Sequence, residues 1–157
     1  MEDNVKKAVD LLLKNNITIA TAESCTGGLI AKLITDFAGV SDIYSEGYIT
    51  YSNKAKIKNL HVHPSTLKKY GAVSRQTATE MAIGVRKASR SQMGVSTTGI
   101  AGPGGGTPDK PVGLVYIAVS TEDECIVQKL QHTGDRTEVR QKTAKDVFDL
   151  IAHIAAK

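Results

Sequence analysis

The sequence predicts an α/β protein, a three-layer α/β/α sandwich on a mixed, mainly five-stranded sheet. Three observations carry that prediction. Short β-prone segments alternate along the chain with segments of helical period. A strand, a tight turn and a helix follow one another near the start, which supplies a parallel portion. Residues 112–132 read as a hairpin whose first strand is almost continuously apolar, the pattern of a strand covered on both faces.

Residues 2–15 form an amphipathic helix, with Val5, Ala8, Val9 and Leu12 at i, i+3, i+4, i+7 spacing, closed by Asn15-Asn16. Ile17–Ala22 is a short apolar strand. The polar turn Glu23-Ser-Cys-Thr-Gly-Gly28 follows, then a helix with Leu29, Ile30, Leu33, Ile34 and Phe37 on one stripe, ended by Gly39. Residues 43–51 are β-branched and aromatic enough for a second strand, and Gly47 inside it signals a bulge or a close backbone approach. Ser52-Asn53 caps a short helix over Lys54–Leu60. Pro64 opens another, stopped by Gly71. Ser74 caps a long helix, residues 75–89, with Ala78, Met81, Ala82 and Val85 as its apolar stripe. Met93–Thr98 is the third strand. Residues 99–111 hold five glycines and three prolines and cannot be regular structure. Val112–Ser120 and Cys125–His132 are the fourth and fifth strands, the last an edge, joined through Glu122-Asp123-Glu124. After Thr133-Gly-Asp-Arg136 comes a final helix, with Ala144, Val147, Phe148, Ile151, Ile154 and Ala155 on its stripe.

At 157 residues the expectation is one domain over residues 1–157, with no internal repeat. A 41% hydrophobic and 23% charged composition is that of an ordinary globular chain. Aromatics are only 4%, with no Trp, which argues against a base-stacking nucleic-acid surface. The net charge of +4 is spread without a dense cluster, which disfavours duplex binding and leaves room for a small phosphorylated ligand. Cys25 and Cys125 make no disulfide framework. No leading apolar run resembles a signal peptide, and no stretch is long enough to span a membrane, so the expected location is cytoplasmic.

Four stretches carry chemistry. The turn Glu23–Gly28 places small hydroxyl and thiol side chains beside the free N–H groups of a helix start. It fits a phosphate cradle or a nucleophile with an oxyanion hole, and from this turn alone the two readings stand level. It lacks the Gly-Lys-Ser/Thr of a Walker loop, the Gly-x-Gly-x-x-Gly of dinucleotide sites and the Gly-x-Ser-x-Gly elbow. Tyr51-Ser-Asn-Lys-Ala-Lys56 offers Lys54 or Lys56 as a base if burial lowers its pKa, and Tyr51 as a proton relay or substrate contact; the bland alternative is a solvated helix. Thr98-Gly-Ile-Ala-Gly-Pro-Gly-Gly-Gly106 ends a strand in a loop whose glycines allow close approach to a ligand. Arg136 and Arg140 share a helix face and form either a solvated basic edge or an anion clamp. His61-Val-His63 lacks the companions of a metal site, so no metal and no cofactor are expected.

Together these stretches resemble the CinA carboxy-terminal domain family, which includes nicotinamide mononucleotide deamidases of the PncC type. The resemblance runs through Ala22-Glu-Ser-Cys-Thr-Gly-Gly28, Gly47-Tyr-Ile-Thr-Tyr-Ser-Asn53 with Lys56, Gly71-Ala-Val-Ser74, Thr98–Gly106, Lys110-Pro-Val-Gly113 and Gly134-Asp-Arg136, in order along nearly the whole chain. It departs at residues 38–41, Ala-Gly-Val-Ser where Pro-Gly-Ser-Ser is usual, and at Ser45-Glu46, where a second glycine is common before Gly47. Both departures fall near an expected pocket rim. Longer family members carry an amino-terminal molybdopterin-binding-like domain, whose functions are not expected here.

The resemblance implies hydrolysis of the nicotinamide mononucleotide carboxamide to nicotinate mononucleotide and ammonia, and a homo-oligomer, dimer or trimer. It implies Ser24 as nucleophile, Lys56 as base with Tyr51 beside it, and Thr98 and the glycine loop (Gly99, Gly102, Gly104) as pocket lining. Arg136 or Arg140 would meet the phosphate. Glu23, Cys25, Thr26, Gly27 and Gly28 would contact substrate, with backbone N–H groups of Cys25–Gly28 as oxyanion donors. Cys25 is the rival nucleophile. The expected partner is a small pyridine mononucleotide, with no nucleic acid and no membrane. The competing reading is a non-catalytic nucleotide-phosphate-binding module linked to competence, and a phosphatase stands third.

Overall fold

The computed structural model describes residues 1–157. The elements, in order, are α1 (Glu2–Lys14), β1 (Ile19–Glu23), α2 (Leu29–Thr35), β2 (Tyr44–Ile49), α3 (Asn53–Leu60), α4 (Pro64–Tyr70), α5 (Arg75–Ser89), β3 (Met93–Gly99), β4 (Leu114–Ser120), β5 (Cys125–Gln131) and α6 (Arg136–Ala155). A 3-10 turn, Val40–Asp42, precedes β2.

The sheet has the order β2-β1-β3-β4-β5. β1 pairs in parallel with both β2 and β3, β4 follows antiparallel to β3, and β5 closes that side as an antiparallel edge. β1 is buried along its whole length, whereas β2 alternates half-buried and exposed residues, as an edge should. Side chains on successive strand residues go to opposite layers. Ile19, Val115, Ile117 and Val119 join α1, α2 and α6 in one core. Ala20 and Ala22 meet Leu60, Val62, Leu67, Met81 and Val85 of the α3–α5 side in a second. This is the expected α/β/α sandwich.

Several boundaries differ from expectation for local reasons. β1 starts at Ile19 rather than Ile17, because Asn16 turns at φ +51° and the Ile17 N–H returns to the Leu12 carbonyl. β4 starts at Leu114 rather than Val112, because the Leu114 N–H closes a turn onto the Pro111 carbonyl and Gly113 sits at φ +92°. α2 stops at Thr35, and Phe37 packs on the core from the turn beyond. The caps behave as read: Ser52 accepts from the Ala55 N–H and Ser74 from the Thr77 N–H. Gly47 shows both expected features. The β1–β2 register slips beside it, and a side chain there would sit 2.1 Å from the Tyr44 hydroxyl.

The topology fixes where a site can form. From β1 the chain crosses to β2 on one side, then from β2 to β3 on the other. The carboxyl end of β1 is therefore a switch point, where the loops after β1, β2 and β3 diverge and leave a crevice.

Candidate active site

The loop after β1 is the turn Glu23–Gly28. Glu23 ends the strand with its side chain 1% exposed. Its carboxylate accepts from the Thr26 hydroxyl at 2.6 Å and from the N–H groups of Gly28 at 3.2 Å, Ile30 at 2.9 Å and Ala31 at 3.0 Å. The first turn of α2 thus receives its anion from the chain itself. Thr26 bridges onward to the Thr97 hydroxyl of β3 at 2.8 Å, and the Ser24 N–H donates to the Thr97 carbonyl at 3.0 Å. These bonds bolt the turn to the central strands. The Gly27 N–H is used by the Ser24 carbonyl, so the Cys25 and Thr26 N–H groups are left without a partner inside the protein. Thr26 is fully buried, whereas Cys25 lines the cleft, so the Cys25 N–H is the donor in this turn that can serve a ligand.

The loop after β2 delivers Lys56. Capped by Ser52, α3 begins at once, and its core-facing stripe carries Lys56 and Leu60 one turn apart. Lys56 is 1% exposed. Its Nζ lies 3.0 Å from Ser24 Oγ, 2.7 Å from the Thr50 carbonyl oxygen and 3.4 Å from the Tyr51 carbonyl oxygen. No carboxylate pairs with it. Burial disfavours the ammonium and lowers its pKa from 10.5 to about 8, opposed only in part by the Cys25 thiol. The same three oxygens suit both forms. An ammonium donates to all three; a free amine donates to the two carbonyls and turns its lone pair to the Ser24 hydroxyl. A proton can therefore pass between Ser24 and Lys56 without a change of partners.

The loop after β3 forms the facing wall. Ser24, Cys25, Tyr51 and Lys56 line one side of a cleft of about 270 Å³, with Ala72 and Val73 beside them and residues 98–102, Gly104, Gly105 and Arg136 opposite. That volume is just below the usual range of small-ligand sites, about 300–1,000 Å³. Thr98 is buried and donates its hydroxyl to the Ala72 carbonyl at 2.7 Å, tying β3 to the loop before α5. Arg136 Nη1 donates to the Gly102 carbonyl and Nη2 to the Tyr51 hydroxyl, both at 2.9 Å. It has no acidic partner. A guanidinium held only by neutral acceptors stays available to an anion at the rim.

Most of the expected residues meet here: Ser24, Cys25, Tyr51, Lys56, Thr98, Gly99, Gly102, Gly104 and Arg136 all line the cleft. Others do not. Glu23 and Thr26 are buried in the capping network and face no ligand through their side chains. Gly27 and Gly28 lie outside the lining; at φ +58° and +101° they shape the turn, and a Cβ on Gly27 would come 3.1 Å from Arg140 Nη2. Arg140 is also outside. Its Nη2 donates to the Thr26 carbonyl at 2.7 Å, so it braces the turn from behind. Tyr51 is present in a different part: its carbonyl meets Lys56, while its side chain, 62% exposed, is held by Arg136 at the mouth. Lys54 is exposed and does not line the cleft. Ile100, Ala101 and Gly105 belong to the expected glycine-rich loop and complete the lining with Ala72 and Val73, two residues of the Gly71–Ser74 resemblance stretch to which the sequence gives no site role.

Cys25 lines the cleft beside Ser24, but burial pushes its thiol up to about 12. It therefore holds its proton at neutral pH, and Lys56 Nζ bonds to Ser24 Oγ rather than to the Cys25 sulfur, which favours Ser24 as the activated group. His61 and His63 gather no further ligands, and no group of three or more His, Cys, Asp or Glu side chains converges anywhere in the chain.

The model of the CinA C-terminal domain matches residues 1–155. Among curated relatives, a putative competence-damage inducible protein of Acetivibrio thermocellus is 51% identical over 150 residues, covering 96% of this chain and 36% of that protein. A CinA-like protein of Kosmotoga olearia is 52% identical over 143 residues, covering 91% of this chain and 35% of its own length. The chain thus spans about a third of the length of these relatives. Among solved structures, the competence/damage inducible protein CihA of Agrobacterium tumefaciens superposes with a TM-score of 0.95 at 39% identity, covering 99% of this chain and 95% of that one. A CinA superfamily protein of Escherichia coli gives 0.90 at 28% identity, covering 100% and 91%. No helix here is long and apolar enough to cross a membrane.

Proposed function

The chain belongs to the CinA C-terminal domain family, and from that premise we propose that it is a serine amidohydrolase that deamidates nicotinamide mononucleotide to nicotinate mononucleotide and ammonia. The observation that carries the reading is the 3.0 Å contact between Ser24 Oγ and a buried Lys56 whose pKa falls to about 8. A hydroxyl next to an amine that can be neutral near physiological pH is an activated nucleophile.

The steps follow from the contacts. Lys56, as free amine, takes the Ser24 proton while Oγ adds to the carboxamide carbon. The oxygen that gains charge is received by the Cys25 N–H group, which the fold leaves without an internal partner at the cleft. A missing donor of this kind typically costs about 10²–10³ in rate. Lys56 then gives its proton to the departing nitrogen, ammonia leaves, and an ester to Ser24 remains. Water, deprotonated by the same amine, adds to that ester, and collapse returns the Ser24 hydroxyl and frees the carboxylate. Arg136 at the rim holds the phosphate, which places the base over the Ser24–Lys56 pair.

The capping of α2 by Glu23 supports a nucleophile turn over a phosphate cradle. Three N–H groups that would have bound a phosphate already bind Glu23. The test is ammonia release from nicotinamide mononucleotide by the wild-type protein, with Ser24→Ala beside it. Release by the wild type and its loss in the variant are expected. Tight mononucleotide binding without product would instead favour a binding module, and release of phosphate a phosphatase.

A further inference from the structure

Between Glu46 and Glu80 the chain has six Lys and Arg and not one Asp or Glu, while the rest has fourteen Lys and Arg against sixteen Asp and Glu. The positive balance of the protein therefore resides wholly in this segment, which runs from the end of β2 through α3 and α4 to the start of α5. One of the six, Lys56, is buried in the site. Arg75 lies over β5, 3.4 Å from the Val127 carbonyl. The other four, Lys54, Lys58, Lys68 and Lys69, are exposed on α3 and α4, and none forms an ion pair. Lys69 lies over the Tyr70 ring at 5.2 Å. Glu80, the acid that reaches this surface, is occupied by the His63 N–H at 2.9 Å.

The segment that carries these lysines begins and ends at the cleft. Tyr51 lines the cleft immediately before α3, and Ala72 and Val73 line it immediately after α4. Lys110, at the end of the glycine-rich loop, bridges to the Tyr70 carbonyl and closes the arc with a further cation, next to the exposed Asp109. Unpaired charges of one sign beside a concave, partly apolar site focus their field into it. They also raise the local concentration of a ligand of opposite sign, by about 10–10³ in favourable cases.

We infer that the α3–α4 lysines form an electrostatic approach surface that draws a small phosphate-bearing anion to the cleft mouth, where Arg136 receives it. This rests on the mononucleotide reading of the site. The side chains act before contact: they raise the rate or affinity of capture and leave the chemical step alone.

The experiment compares kcat/KM for nicotinamide mononucleotide at low and high salt, about 20 mM and 500 mM, where the screening length shrinks from some 20 Å to about 4 Å. The wild type is set beside a variant with Lys54, Lys58, Lys68 and Lys69 all changed to Gln, and a control with Lys7, Lys14, Lys87 and Lys129 changed to Gln. The control removes the same charge from exposed positions elsewhere. At low salt the α3–α4 variant should lose about tenfold in kcat/KM with kcat unchanged, and its salt dependence should flatten. The control should track the wild type. Equal behaviour of the two variants, or a wild-type kcat/KM indifferent to salt, overturns the inference. If the wild type releases no ammonia, the amidase reading fails, and calorimetric binding of the mononucleotide by the same three proteins still decides this inference by the same pattern. Submicromolar binding of a single-stranded oligonucleotide through these lysines, with mononucleotide capture unaltered, would also overturn it and assign the surface to a polyanion.

Discussion

Lys56 as the base makes a quantitative demand on the pH dependence of the rate. With a pKa of about 8, the free amine is about 9% of the total at pH 7, half at pH 8 and about 90% at pH 9. An ordinary lysine at 10.5 would be neutral in only about 0.03% of molecules at pH 7. Burial thus raises the competent fraction at pH 7 by roughly 300-fold. The sign is fixed by the chemistry: the active form is the deprotonated one, so the rate climbs with pH. Initial ammonia release should be followed from about pH 7, above the second ionisation of a phosphate monoester, to pH 10. The expected log profile rises with nearly unit slope at first, bends at about pH 8 and is flat by about pH 9.5. Lys56→Arg, which stays charged throughout, should be inactive across the range. A flat wild-type profile, or one still rising linearly to pH 10, would refute lysine activation by burial.

Further outcomes follow from the same geometry. Glu23→Ala leaves three N–H groups unsatisfied in a buried place and the Thr26 hydroxyl with Thr97 alone, and should cost about 3 kcal/mol in urea unfolding, with Glu23→Gln losing less because one oxygen still accepts. Cys25→Ser should keep most of the activity, and the native Cys25 thiol, pushed up to about 12, should resist iodoacetamide at pH 8; loss of turnover on either change would return the nucleophile to Cys25. Arg136→Gln should raise KM about tenfold or more with a modest change in kcat. Arg140→Gln should instead lower stability and kcat together, since it removes the brace on the Thr26 carbonyl; the reverse pattern would place the phosphate at Arg140.

The elements were legible where local chemistry decides them. Ser52, Ser74 and Pro64 cap or open their helices as read, and Gly47 marks both a register slip and a close approach. The choice between Lys54 and Lys56 had a readable signal: only Lys56 is four residues before Leu60, on the core stripe of α3. Arg136 and Arg140 were harder to separate. One helical turn, about 5.4 Å, is enough to put the first at the rim and the second behind the turn, and only the packing of α6 fixes that offset. Glu23 was misread because a carboxylate next to a candidate nucleophile looks the same in sequence whether it faces a ligand or the helix behind it. The direction of the Tyr51 ring likewise depends on a partner 85 residues away.

The internal anion at α2 has a consequence for how the site meets its ligand. The amides of Gly28, Ile30 and Ala31 find their acceptor when the chain folds. The nucleophile turn is therefore as ordered before an encounter as after it, and little of the attraction between protein and ligand is consumed in arranging it. Amide hydrogen exchange would see this directly, as protection at these three positions that is indifferent to ligand. At the mouth, by contrast, Arg136 holds only the neutral Gly102 carbonyl and Tyr51 hydroxyl, bonds that an arriving phosphate can replace. The side that bears Ser24 acts as a fixed anvil.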